Sequence, residues 1–197
     1  MTWQVKDTLK FHNKTYDLNV TLLEKYFREF RNKIPKVDVI DTACWRGHIV
    51  NFEILNKELL INKIVFLGEN GENIGENFTL ENFSNRKFEW FSGFIRIDNF
   101  KGDYDEEKDR NAIFEYLEIK YGNLINHWEL NWDEHREFKF MLLSEFKELQ
   151  EFKILFHDIQ KDNNKMKYIE IENKIFEQII SLANDNYLKL GKNNNYS

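Results

Sequence analysis

The run "HIVNFEILNKELLINKIVF", His48 to Phe66, constrains the fold more than any other segment. Ile49, Phe52 and Ile54 before "LNKE", with Leu59, Ile61 and Ile64 after it, predict the two strands of a hairpin. Each strand slips once from strict alternation, which a β-bulge accounts for. The hairpin opens on Trp45, Arg46 and Gly47, and a similar aromatic–glycine knot, "WFSGFIRI", returns at Trp90 to Ile97. Glycine inside a strand marks a bulge or a close approach. Trp45 and Trp90 are therefore expected to lie across Gly47 and Gly93, with Arg46 stacked on a ring or paired to a carboxylate.

Other segments extend this sheet. "KFEWFSGFIRI" predicts a strand in which Phe88, Trp90 and Ser92 alternate with Glu89, Phe91 and Gly93. "IFEYLEIKYG" and "NHWELNW" complete an antiparallel arrangement. Trp3, Val5, Leu9 and Phe11, followed by "TYDL", predict a short hairpin turning at Asn13–Lys14. Thr21 stands three residues before Glu24 as a capping box, opening a helix with Leu22, Tyr26 and Phe30 on one face. Pro35 ends it.

"LGENGENIGENF" lacks the Lys-Ser/Thr ending of a phosphate loop and is read as a polar loop. From Glu134 to about Glu151, Phe138, Leu142, Phe146 and Leu149 suit a helix face. "ILFHDI" and "MKYIEIE" around "QKDNNK" suggest a hairpin, the alternative being one helix through Phe156. Ile175, Phe176, Ile179, Ile180, Ala183 and Tyr187 form a C-terminal helical stripe, and 191–197 is expected to fray.

The expectation is an α+β fold. A central antiparallel β-sheet, free to curl strongly, carries an N-terminal helix and C-terminal helices packed against it. A single domain spans 1–190, with a sheet-rich core at about 39–132 and a helical extension at about 134–190. A chain of 197 residues buries roughly 70% of its extended-chain surface, so no metal or disulfide is needed to stabilise it. Eighteen phenylalanines supply the core. Cys44 is the only cysteine, which excludes an internal disulfide.

The combination "TACWRGHIVNFEILNKELLINKI", "FEWFSGFIRI" and "FEYLEIKYG" resembles a family of small uncharacterised bacterial proteins. That family pairs a W-R-G opening and a W-E-I hairpin with a later W-F-S-G strand and a Tyr-Gly ending. The likeness covers about Thr42 to Glu129; Phe52 stands where the pattern favours Trp. The family has no agreed activity, so the resemblance implies fold and leaves chemistry open.

Lys and Arg total 28 against 34 Asp and Glu, a formal charge of −6. This disfavours nucleic-acid backbones and suits a basic partner. No stretch has membrane-spanning length and the start lacks a signal-peptide core, so the expected address is cytoplasmic. The first functional expectation is a noncatalytic binding protein of the immunity type, neutralising a basic toxin by protein–protein contact. Its contacts would be Asp103, Tyr104, Asp105, Glu106 and Glu107 in an exposed acidic loop, with no cofactor. "DYDEEKD" does not make a calcium loop, because Lys108 and Phe114 occupy the places that need Gly and Glu.

The rival is a metal-dependent hydrolase or nuclease using His127, Glu129, Asp133 and His135 from "NHWELNWDEH". On a strand, His127 and Glu129 project to one side. A third class, a small-ligand sensor, would use Trp45, Arg46 and Trp90. Cys44 reads as a small buried hydrophobe more readily than as a nucleophile.

Overall fold

The computed structural model describes residues 4–35, 44–67, 71–97 and 111–190. Within it the chain divides into two compact units, Met1–Tyr104 with Glu115–Trp128, and Asp105–Phe114 with Glu129–Ser197.

The first unit carries the sheet. Its strands are β1 (Thr8–Phe11), β2 (Lys14–Asp17), β3 (His48–Leu55), β4 (Glu58–Phe66), β5 (Gly93–Arg96), β6 (Phe114–Lys120) and β7 (Asn123–Leu130). The unit boundary crosses β6 and β7. The order β2-β1-β3-β4-β7-β6-β5 joins all seven in one strongly curled sheet, as the α+β reading requires. β1–β2, β3–β4, β4–β7 and β5–β6 are antiparallel, but β1 and β3 run parallel. The sheet is therefore mixed. A long connection containing a helix lets β3 return beside β1 in the same direction, which a tight turn cannot do.

Two-residue turns set the registers. His12–Asn13 and Asn56–Lys57 both have positive φ, and Tyr121–Gly122 repeats the pattern. Paired positive φ angles match the right-handed twist of the flanking strands. The first turn thus falls one residue before the expected Asn13–Lys14. In β3–β4 the register shifts between Asn51 and Phe52, leaving Asn62 without an opposite residue. That single bulge lies in β4 and brings Ile61 and Ile64 to one buried face, whereas β3 alternates without a slip: Val50 and Phe52 are buried and Ile49, expected inward, is only half-buried.

Helix α1 (Leu22–Glu29) ends before Pro35 as expected. Its Thr21 hydroxyl donates to Glu24 at 2.9 Å and makes no backbone cap, so the predicted capping box does not form. Helix α2 (Gly71–Asn82) replaces the expected polar loop. A Cβ on Gly75 would lie 1.9 Å from the Ile64 carbonyl oxygen, so the missing side chain is what lets this helix lie directly on β4. The predicted strand from Phe88 begins only at Gly93. Before it, Phe88 and Phe91 turn into a core of rings around Tyr26, whose centroid lies 5.2 Å from Phe83 and 5.7 Å from Trp90.

The second unit is helical: α3 (Trp132–Lys147), α4 (Gln150–Asp162), α5 (Tyr168–Glu177) and α6 (Ile179–Asn186). The hairpin expected around "QKDNNK" is instead the turn between α4 and α5. Ile171, Ile175, Ile179 and Ala183 are buried at helical spacing, and that outweighs the short β-like alternation of "YIEIE". The alternative of one long helix fails at Leu149, where extended backbone separates α3 from α4. A complete capping box starts α3: Asn131 Oδ1 accepts from the Glu134 amide at 3.0 Å, and the Glu134 carboxylate accepts from the Asn131 amide at 2.8 Å. No helix among the described residues is long and apolar enough to cross a membrane.

Candidate functional site

Two polar groupings stand out in the first unit. The first surrounds the turn that opens β3. Gly47 has φ +71° and its amide donates to the Cys44 carbonyl at 3.0 Å, closing a tight turn with Trp45 and Arg46 at its tip. Nothing lies within 4 Å of where a Gly47 side chain would start, so the expected ring over bare backbone is absent. Gly47 is present for its φ angle. Trp45 is 72% exposed. Trp90 packs its ring on Tyr26 and Phe88, at 5.7 and 6.0 Å. Trp45 therefore does not cover Gly47 as predicted, and the ring contacts of Trp90 are with Tyr26 and Phe88.

Arg46 is the strut of this turn. Its Nε donates to the His48 carbonyl at 2.8 Å, and Nη2 donates to the Val5 carbonyl at 2.9 Å and to Asp7 Oδ1 at 2.7 Å. The planar guanidinium binds three acceptors that a lysine could not span together. Asp7 is fully buried, and its Oδ1 also accepts from the Val50 amide at 2.8 Å. Gln4 Oε1 accepts from the Trp45 amide at 3.1 Å. The segment before β1 is thus tied to the turn before β3 at three points, and to β3 itself by a fourth bond, from Val50.

Two atoms in this network are buried with no partner: Asp7 Oδ2 and His48 Nε2. Burial pushes the Asp7 carboxyl up to about 6 even though Arg46 and the Val50 amide pull it down. Burial likewise pushes His48 down to about 4. His48 Nδ1 lies 3.0 Å from the Arg46 carbonyl. A carbonyl only accepts, so Nδ1 carries the proton and Nε2 presents a lone pair among Phe27 and Phe66. Cys44 is buried and its thiol donates to the His48 carbonyl at 3.2 Å, which makes it part of this packing and not an exposed nucleophile.

The second grouping lies on the strands. His127 Nε2 sits 2.8 Å from Glu115 Oε1, and the two side chains are 27% and 23% exposed. Glu129 follows two residues along β7, on the side chain alternation that His127 begins. The other members of the predicted set do not extend this pair. His135 is buried in the second unit with its ring stacked on Phe114 at 3.8 Å. Asp133 is exposed in the first turn of α3. Helical periodicity turns His135 inward beside Phe138 and leaves Asp133 on the outer face. Arg46, offered as a ligand-sensing residue with Trp45 and Trp90, is committed to protein acceptors. The acidic contacts Asp103, Tyr104, Asp105, Glu106 and Glu107 lie outside the described residues.

Asp7, His48 and Glu115 were not singled out from sequence. Asp7 precedes its strand by one residue and gave no periodic signal, whereas Glu115 alternates with buried Phe114 and Tyr116 and could have been paired with His127 on that ground. Comparison with protein-family models, with curated proteins and with solved structures returns no match to this chain.

Proposed function

We propose that this chain is a noncatalytic bacterial binding protein of the immunity type, which occludes a basic toxin by protein–protein contact with Trp45 as an anchor. One observation supports the reading above others: the largest of side chains is 72% exposed on a turn whose backbone is held by Arg46, Asp7 and Gln4. Tryptophan is the most enriched interface hot spot, and a turn ordered beforehand loses little entropy on binding. The formal charge of −6 speeds encounter with a basic surface. Membership of the W-R-G and W-F-S-G family is proposed on its motifs alone and brings no activity with it.

The test is direct. A photoreactive residue in place of Trp45, used in the native host, identifies the partner. The purified pair is then measured with wild type and Trp45→Ala. The reading requires a basic partner whose toxicity is neutralised by the wild-type chain and whose affinity falls about 30-fold or more with Trp45→Ala. Equal affinity removes Trp45 as the anchor, and a partner left fully active removes the immunity role.

A second reading, a metal-dependent hydrolase or nuclease, is favoured by the imidazole–carboxylate pair of His127 and Glu115. Such a pair can activate water as a general base. Phosphodiester and ester turnover that disappears with both His127→Asn and Glu115→Gln would replace the binding reading.

A further inference from the structure

β7 runs beyond the β3–β4 turn, with the Leu124 amide donating to the Lys57 carbonyl at 2.7 Å. It thereby reaches the tip of the β1–β2 hairpin. There the His127 ring meets Phe11 edge-on at 5.2 Å and lies 6.4 Å from the ring of His12, with planes 34° apart. Phe11 is buried and its centroid is 3.9 Å from His12. On its other side His127 touches Glu115 at 2.8 Å. Two imidazoles, from a turn and a strand, therefore flank one phenyl ring, and one of them meets a carboxylate from a second strand.

We propose that His12, His127 and Glu115 bind one divalent cation of the zinc class, which clips the first hairpin to the β6–β7 ribbon. Imidazole and carboxylate are the ligands such borderline ions favour. A metal–nitrogen bond of about 2.1 Å puts a ligating ring centroid roughly 3.2 Å from the ion, and a tetrahedral angle then separates two such rings by about 5.2 Å. The rings have to close by about 1 Å from their 6.4 Å spacing. Rotation of His12 supplies this, because it is exposed at the tip of a two-residue turn. Neighbouring ligands on such an ion sit about 3.3 Å apart, so the His127–Glu115 contact needs only slight opening. The ion takes the place of their shared proton. Phe11 supplies the apolar floor that keeps water from one side.

This inference is independent of the binding reading. It names an ion-holding set for the pair behind the hydrolase reading, and its test reads ion binding and not turnover. The full chain, freed of metal, is titrated with Co²⁺ and Zn²⁺. The expected result is one Co²⁺ per chain with the visible absorption of a four- or five-coordinate site. Zn²⁺ raises the unfolding temperature. His12→Asn, His127→Asn and Glu115→Gln each weaken binding about tenfold or more while far-ultraviolet circular dichroism stays unchanged. His157→Asn, an exposed histidine on α4, leaves it intact. Absent binding, binding lost only with His157→Asn, or binding insensitive to His12→Asn overturns the proposal. Because these readouts need no substrate, they fail or succeed separately from any hydrolase activity.

Discussion

Asp7 receives Arg46 and the Val50 amide on the same carboxylate oxygen, at 2.7 and 2.8 Å, and leaves its other oxygen buried without a partner. One charge pair and one backbone bond therefore hold the segment before β1 against β3, at the cost of an unsolvated atom. That arrangement is specific in geometry and expensive in solvation. Its consequences are measurable.

Stability against pH should show two opposed slopes. Asp7 has a folded value of about 6, above its ordinary 3.8. Its contribution is fully present below 3.8 and is lost as pH rises through about 6. His48 has a folded value of about 4, below 6.5, so its contribution is absent below 4 and gained as pH rises to 6.5. Between pH 4 and 6 the two nearly cancel. Relative to wild type, Asp7→Asn should gain stability as pH rises across this window and His48→Asn should lose it. The spread reaches up to about 3 kcal/mol in each case. Urea unfolding from pH 4.5 to 7 reads this; parallel curves for all three proteins would refute the opposed titrations.

Arg46→Leu leaves Asp7 buried beside no cation. The expected loss is about 3–5 kcal/mol, and the double variant Arg46→Leu/Asp7→Leu should recover part of it. A double-mutant cycle by chemical denaturation measures the coupling, and simple additivity of the two losses would count against the pair.

The glycines separate by mechanism. Gly75→Ala drives a Cβ into the Ile64 carbonyl and should cost about 3 kcal/mol or more by forcing α2 off β4. Gly47→Ala meets nothing and should cost about 1–2 kcal/mol, from its positive φ alone. Thermal unfolding that ranks them the other way would contradict the close approach of α2.

Helix caps make a similar contrast. Asn131→Ala removes a bonded cap and should destabilise by about 1 kcal/mol. Thr21→Ala should cost less, because the Thr21 hydroxyl is donated to Glu24 and caps no amide. Equal losses in denaturant titrations would show that the Thr21 hydroxyl caps α1 in solution.

Trp45→Ala and Trp90→Ala should part company. Trp45 is exposed, so its loss should stay within about 0.5 kcal/mol. Trp90 packs against Tyr26 and Phe88 and should cost about 2 kcal/mol. A large loss for Trp45→Ala would mean that the ring is packed and unavailable as an anchor.

Where the chain repeats a local pattern, the pattern was readable. The β3–β4 hairpin, its bulge, the helix ending before Pro35 and the strands β6 and β7 follow from alternation and turn chemistry within a few residues. Misreadings arose where local preference and burial disagree. "GENIGENF" looks like a loop because of its glycines, yet Gly75 is in a helix so that the helix can touch a strand. "YIEIE" alternates like a strand, yet Ile171 and Ile175 are neighbours on a helix turn and both are buried.

His127 stood out in the sequence, but Glu115, which its Nε2 meets at 2.8 Å, and His12, whose ring lies 6.4 Å away, did not, since they come from a separate strand and a turn. Asp7 and Arg46 lie 39 residues apart. Their meeting depends on β1 lying parallel beside β3, a pairing that no short stretch specifies. Sequence alone determined which segments pair locally, because turn torsions and side-chain alternation act over a few residues. The tertiary structure alone decided which charges lose their water and which indole keeps its exposure, because solvation is set by the packing of distant segments.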